Sequence, residues 1–332
     1  MITKYNCINQ YCYITDERLS PNETDEHIIP NALGGFLKSN KLVLSRINTG
    51  LFDKLDAELA DRIEIAFLFK FKRDRGKQPP IKGFNKDGIG YLIYDSKNTT
   101  MLPRKPIEVV DETGTTYLKF PLHQKKEIIA ARLKKNPHLN KEDIERSIKE
   151  EHTEGAETLY HKHSLNIIAN SFDSFRAIAK IATNYAVLNN FNKLLFRDFI
   201  EFIKGKDILD TMDIGYFYPN DYLIYEFGSN EVSHILYLKA CSKERLLYCY
   251  IELFNLHCFI VILNYDYNGE DFAKSYIWDV QNAKELHKDI LLNVTSRFLA
   301  SRDYIYYPDV EKDYSVRLRR LAKILDLKIK VG

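Results

Sequence analysis

The chain of 332 residues is 45% hydrophobic and 28% charged, which supports packed cores in one large or two modest domains and excludes wholesale disorder. Lys and Arg number 48 against 46 Asp and Glu, so the formal charge of +2 excludes a strongly basic nucleic-acid coat while allowing a local basic patch. Five scattered cysteines argue against a secreted disulfide framework. With no leader-like or bilayer-length apolar run, the expectation is a cytoplasmic protein that makes no membrane contact.

In chain order, Glu26-His27 reads as extended backbone, and Gly34-Gly35 supplies a turn into a second strand over residues 41–45. Asn48 is placed to cap a helix whose apolar stripe runs through Leu51, Phe52, Leu55, Leu59, Ile63 and Ala66. A basic, Pro- and Gly-punctuated stretch over 70–80 follows as a linker or exposed loop. Short strands are expected at 89–94, 107–110 and 116–120, then helices at 124–135, 141–151, 172–189 and 192–204. Aromatic and β-branched runs at 235–238, 245–253 and 257–264 read as antiparallel strands, and 316–329 as a basic amphipathic closing helix. The fold class is therefore α+β, with a small module over residues 1–69 followed by a larger α+β region over 70–332.

One segment carries chemistry: Cys7 and Cys12, then Glu26-His27-Ile28-Ile29-Pro30-Asn31-Ala32-Leu33-Gly34-Gly35, then Asn48, then Leu55-Asp56. On an extended backbone the adjacent Glu26 and His27 side chains diverge, so one can hold a metal while the other faces a substrate. Asp53 and Asp56, one helical turn apart, can face back toward the strand end. Carboxylates suit Mg²⁺ or Mn²⁺, and a neutral imidazole can take the proton of an attacking water. Asn48 has no acid–base chemistry but can orient the histidine or pin its loop.

In this order the segment resembles the HNH endonuclease family, whose catalytic core is the ββα-metal fold; the resemblance covers about Cys7 to Leu59. It implies Glu26 as first metal ligand, His27 as general base, Asn48 as the residue that orients the base, and Asp56 as second ligand. It also implies a divalent ion (Mg²⁺ or Mn²⁺) and DNA as substrate, with a role in bacterial defence by analogy. Many such sequences carry a second cysteine pair just before the middle Asn, where this chain has Leu44 and Ile47. Two cysteines cannot close a tetrahedral site, so structural zinc is not expected. A weaker similarity extends to residues 175–184, without a chemical role.

The bland alternatives have weight elsewhere. Asp53 competes with Asp56 as second ligand, and Cys7 and Cys12 read more readily as buried thiols. His152, His161 and His163 suit a solvated loop better than a second metal site. Arg176 and Lys180 suit phosphate contact and pairing with acids equally well. Lys70, Lys72, Arg73, Arg75 and Lys77 form the best phosphate-backbone candidate, with an exposed linker as the equal alternative. The leading expectation is a metal-dependent DNA endonuclease whose C-terminal region recognises, regulates or self-associates, either as a homo-oligomer or with a defence partner protein. The alternatives are a catalytically degenerate scaffold that binds nucleic acid or assembles, and a nuclease acting on RNA.

Overall fold

The computed structural model describes residues 7–63, 71–76, 81–84, 90–93, 101–103, 106–110, 113, 114, 116–120, 124–147, 172–208, 213–219, 224–290, 292, 294, 295 and 310–324. The chain is α+β with antiparallel sheets throughout. It begins with β1 (Glu26–His27), which pairs with β2 (Lys38–Ser39) so that Glu26 faces Ser39 and His27 faces Lys38. The second strand thus lies earlier than the expected 41–45. Leu42, Val43 and Leu44 are instead buried in a loop, where their apolar side chains are satisfied without strand pairing.

The helix after this hairpin starts at Ser45, whose amide and hydroxyl both donate to the Glu23 carboxylate. It runs as α1 (Ser45–Ile47), a π-helical turn over Asn48–Phe52, and α2 (Asp53–Arg62). Asn48 therefore lies inside the helix, with φ −55° and ψ −59°, and does not cap it. The apolar stripe is as expected where described: Phe52, Leu55, Leu59 and Ile63 are each 2% exposed or less.

The chain divides into two compact units, and the boundary expected at residue 69 is not the one observed. The smaller unit comprises Phe67–Phe69 and Gln78–Ser164. It holds the meander β3 (Ile81–Phe84), β4 (Gly90–Ile93) and β5 (Met101–Pro103), then the hairpin β6 (Ile107–Val110) and β7 (Thr116–Lys119). Helices α3 (Lys125–Lys135) and α4 (Lys141–Ser147) follow, parted at Asn136.

The larger unit comprises Met1–Ala66, Lys70–Lys77 and Leu165–Gly332. Its helices are α5 (Phe172–Leu188) and α6 (Arg197–Lys204), the latter closed by Gly205 in the left-handed region at φ 109°. Its sheet contains β8 (Ile214–Tyr216), β9 (Ser233–Cys241), β10 (Leu246–Leu253), β11 (His257–Asn264), β12 (Phe272–Asp279) and β13 (Lys284–Leu286), in the order β13-β12-β9-β10-β11-β8. Every residue of β10 is buried, so both faces are covered. α5 packs across β9, β10 and β11. α7 (Val310–Ile324) sends Arg317 to the buried Glu252 of β10, 2.9 Å away.

The N-terminal hairpin joins this unit because its turn docks on the sheet. Phe36 stacks on Trp278 with ring centroids 4.6 Å apart. His234 Nε2 donates to Leu33 O at 2.8 Å, and its Nδ1 accepts from Phe254 N at 3.2 Å. Gly34 turns at φ 84° against Phe71 and Val280, and a Cβ at Gly35 would collide with the Ile29 carbonyl, which explains the glycine pair. Among the described residues, no helix is long and apolar enough to cross a membrane.

Candidate active site

Alternation along β1 sends its two side chains to different neighbours, as the sequence implied. Glu26, 2% exposed, turns to α5: its Oε1 accepts from Lys180 Nζ at 2.7 Å and from Asn184 Nδ2 at 2.9 Å. Lys180 and Asn184 are one turn apart and share a helix face. The same ammonium donates to Asp56 Oδ1 at 2.5 Å and lies 5.2 Å from the centroid of the Phe52 ring. Asn184 Oδ1 in turn accepts from the buried Tyr13 hydroxyl at 2.7 Å. Glu26 and Asp56, far apart in sequence, thus share one cation. Asp53 is exposed on the helix surface, so Asp56 is the acid that faces Glu26.

Burial dominates the electrostatics of this cluster. It pushes the Glu26 carboxyl up to about 7, with Lys180 opposing and Asp56 adding to the rise. Burial likewise raises Asp56 against the pull of Lys180. For Lys180 burial acts to lower the pKa, but the two carboxylates outweigh it and the net shift is upward. The lysine therefore stays charged, and one ammonium serves two carboxylates.

His27, on the other side of β1, is 4% exposed. Its Nε2 lies 3.1 Å from Asp74 Oδ2, an oxygen that also accepts from Lys38 Nζ at 2.7 Å. Burial lowers the His27 pKa more than Asp74 raises it, which keeps the ring neutral at pH 7. The hydrogen bond from Lys38 holds the Asp74 carboxyl below its usual range. Asp74 is placed by Asn31, whose Oδ1 accepts from Asp74 N at 3.0 Å and whose Nδ2 donates to Arg75 O at 2.9 Å.

Asn48 is 4% exposed and makes no bond to His27. Its Nδ2 donates to Thr24 Oγ1 at 3.0 Å and to Asp25 O at 3.1 Å, fixing the backbone that leads into β1. Of the basic run, Lys72 and Arg75 are exposed beside Asp74, whereas Arg73 Nε is committed to Asn31 O at 3.2 Å. Lys70 and Lys77 lie outside the described residues, as do His152, His161 and His163. Arg176 resolves toward pairing: it bonds Asp173 at 2.6 Å and the Phe202 carbonyl at the end of α6 at 3.1 Å. Cys12 is fully buried and Cys7 half-buried, both as free thiols.

Two carboxylate oxygens converging on one cation are the hard donor pair that Mg²⁺ or Mn²⁺ takes, with water and phosphate completing the shell. Glu26 and Asp56 fit that chemistry. Among the described residues, no group of three or more His, Cys, Asp or Glu gathers around a point. No family model matches the sequence, and comparison with curated proteins and with solved structures likewise finds no match.

Sequence reasoning missed Lys180, Asn184 and Asp74. The signal for the first two was present: Lys180 and Asn184 interrupt a helix that is otherwise buried over almost its whole length. A lysine inside such a stripe calls for an acidic partner elsewhere in the chain. For Asp74 the signal was weaker, a single acid within a basic run.

Proposed function

We propose that the chain is an HNH-type endonuclease that hydrolyses DNA phosphodiester bonds, with His27 as general base. The observation that carries this reading is the pairing of His27 with Asp74 on one side of β1 while Glu26 meets Asp56 on the other. Nε2–H donated to Asp74 leaves the Nδ1 lone pair to take a proton, and Nδ1 has no partner among the described residues. Asp74 fixes that tautomer and stabilises the imidazolium formed when a water gives up its proton. Asn48 holds the strand that carries the base and the first ligand. Lys72 and Arg75, exposed on the same segment as Asp74, can meet flanking phosphates. Glu26 and Asp56 would hold a divalent ion, which when bound supplies charge neutralisation at the scissile phosphate.

A second reading is a catalytically degenerate scaffold that binds nucleic acid without cutting it. One observation favours it: the Lys180 ammonium already sits against both carboxylates. Incubation of supercoiled plasmid with Mg²⁺ or Mn²⁺, with chelator, and beside an RNA substrate separates the readings. Nicking of DNA that needs the ion supports the nuclease. DNA binding with no cutting under any ion supports the scaffold, and preferential digestion of RNA reassigns the substrate.

A further inference from the structure

Glu26 and Asp56 bring two carboxylates to a single ammonium, so the buried cluster carries one more negative group than positive. A lysine that existed only to neutralise a buried acid would need one partner, and buried ion pairs add little net stability. The surplus carboxylate marks the pocket as built for more positive charge than Lys180 brings. Glu26 Oε1 accepts from both Lys180 and Asn184, which fills both lone pairs of that oxygen. An ion reaches that oxygen only by displacing a donor. Of the two donors, Asn184 is held at its other end by Tyr13, whereas the lysine has a flexible stem whose ammonium can swing away.

We infer that Lys180 is the resident counter-ion of this pocket: it keeps the two carboxylates together in the ion-free protein and gives up its place when a divalent cation enters. The inference rests on the reading of Glu26 and Asp56 as metal ligands. Lys180 thereby sets the apparent affinity for the ion, because binding proceeds through the fraction of molecules whose ammonium has withdrawn. It also keeps the acids from repelling one another before the ion arrives.

The test is Mn²⁺ binding, measured by calorimetry on the full chain and on Lys180→Met. The expected result is one site in each protein, with the variant binding about tenfold tighter or more, as for an ammonium in place about nine-tenths of the time. Equal affinity overturns the inference and leaves the ligand assignment standing. No binding by either protein overturns both, and nicking that persists in chelator would then leave His27 chemistry intact. Removing the charge could tighten binding by field alone, or could unfold the variant, so a second measurement uses the unaltered chain. In ¹⁵N-labelled protein the protected Lys180 ammonium signal should shift or be lost on saturation with Mg²⁺. A signal unmoved by Mg²⁺ overturns displacement whatever the variant does.

Discussion

Asn48 and Asp74 act on the two ends of the same short strand. Asn48 secures its entry through Thr24 and Asp25, and Asp74 secures the imidazole it presents. Replacing Asn48 with Ala leaves two acceptors without their donor, so unfolding by urea should show a loss of about 1–3 kcal/mol. Unchanged stability would mean that water replaces the amide at no cost. Asp74→Asn removes the charge that supports the imidazolium and can present an amide donor to Nε2, which favours the wrong tautomer. The single-turnover nicking rate should fall about a hundredfold or more with the melting temperature little changed. Glu26 and His27 were legible in the sequence because adjacency on a strand fixes their divergence. Lys180 was not, because its partners lie 154 and 124 positions away and only packing of α5 on α2 brings them together.

At the scale of elements, the hairpin and helix were legible in order but not in detail. The run Leu42-Val43-Leu44 looks like a strand by composition, yet Glu23 captures Ser45 and starts the helix immediately after it. Asn48 then falls at the first residue of a π-helical turn, an irregularity often found at functional sites. The long sheet strands β9, β10 and β11 were legible because aromatic and β-branched runs bounded by turn residues leave few alternatives. What joins hairpin to sheet is His234, a core histidine with no sequence signature. Its pKa is lowered by burial to about 4, from 6.5 when unfolded. A lowered histidine contributes stability that is fully present above pH 6.5 and is lost as pH falls toward 4, since the unfolded chain takes up the proton first. The full contribution is about 3 kcal/mol. Melting temperature should therefore drop more steeply between pH 6.5 and 4 in the unaltered chain than in His234→Gln, which cannot gain that proton. Parallel profiles would show that His234 does not couple the turn to the sheet.

For the whole molecule, the N-terminal segment is not a module appended to a separate body. Its loop residues Leu33, Gly34 and Phe36 meet β9, β12 and the residue after β12, and its helix meets α5, so the pocket closes only when the C-terminal half has folded. The segment 78–164 falls in the unit that stands apart. This arrangement was not legible, because the basic stretch near residue 70 resembles a linker while residues 71–76 bring Asp74 back to His27. A net charge of +2 suits a protein that grips phosphate locally, through Lys72, Arg75 and an ion, and does not coat nucleic acid with charge. The central claim is that His27 moves the proton in phosphodiester hydrolysis. Its most direct test is the single-turnover rate of plasmid nicking in Mg²⁺, compared between the unaltered chain and a folded His27→Ala variant. A fall of about a hundredfold or more is predicted; equal rates would contradict the assignment.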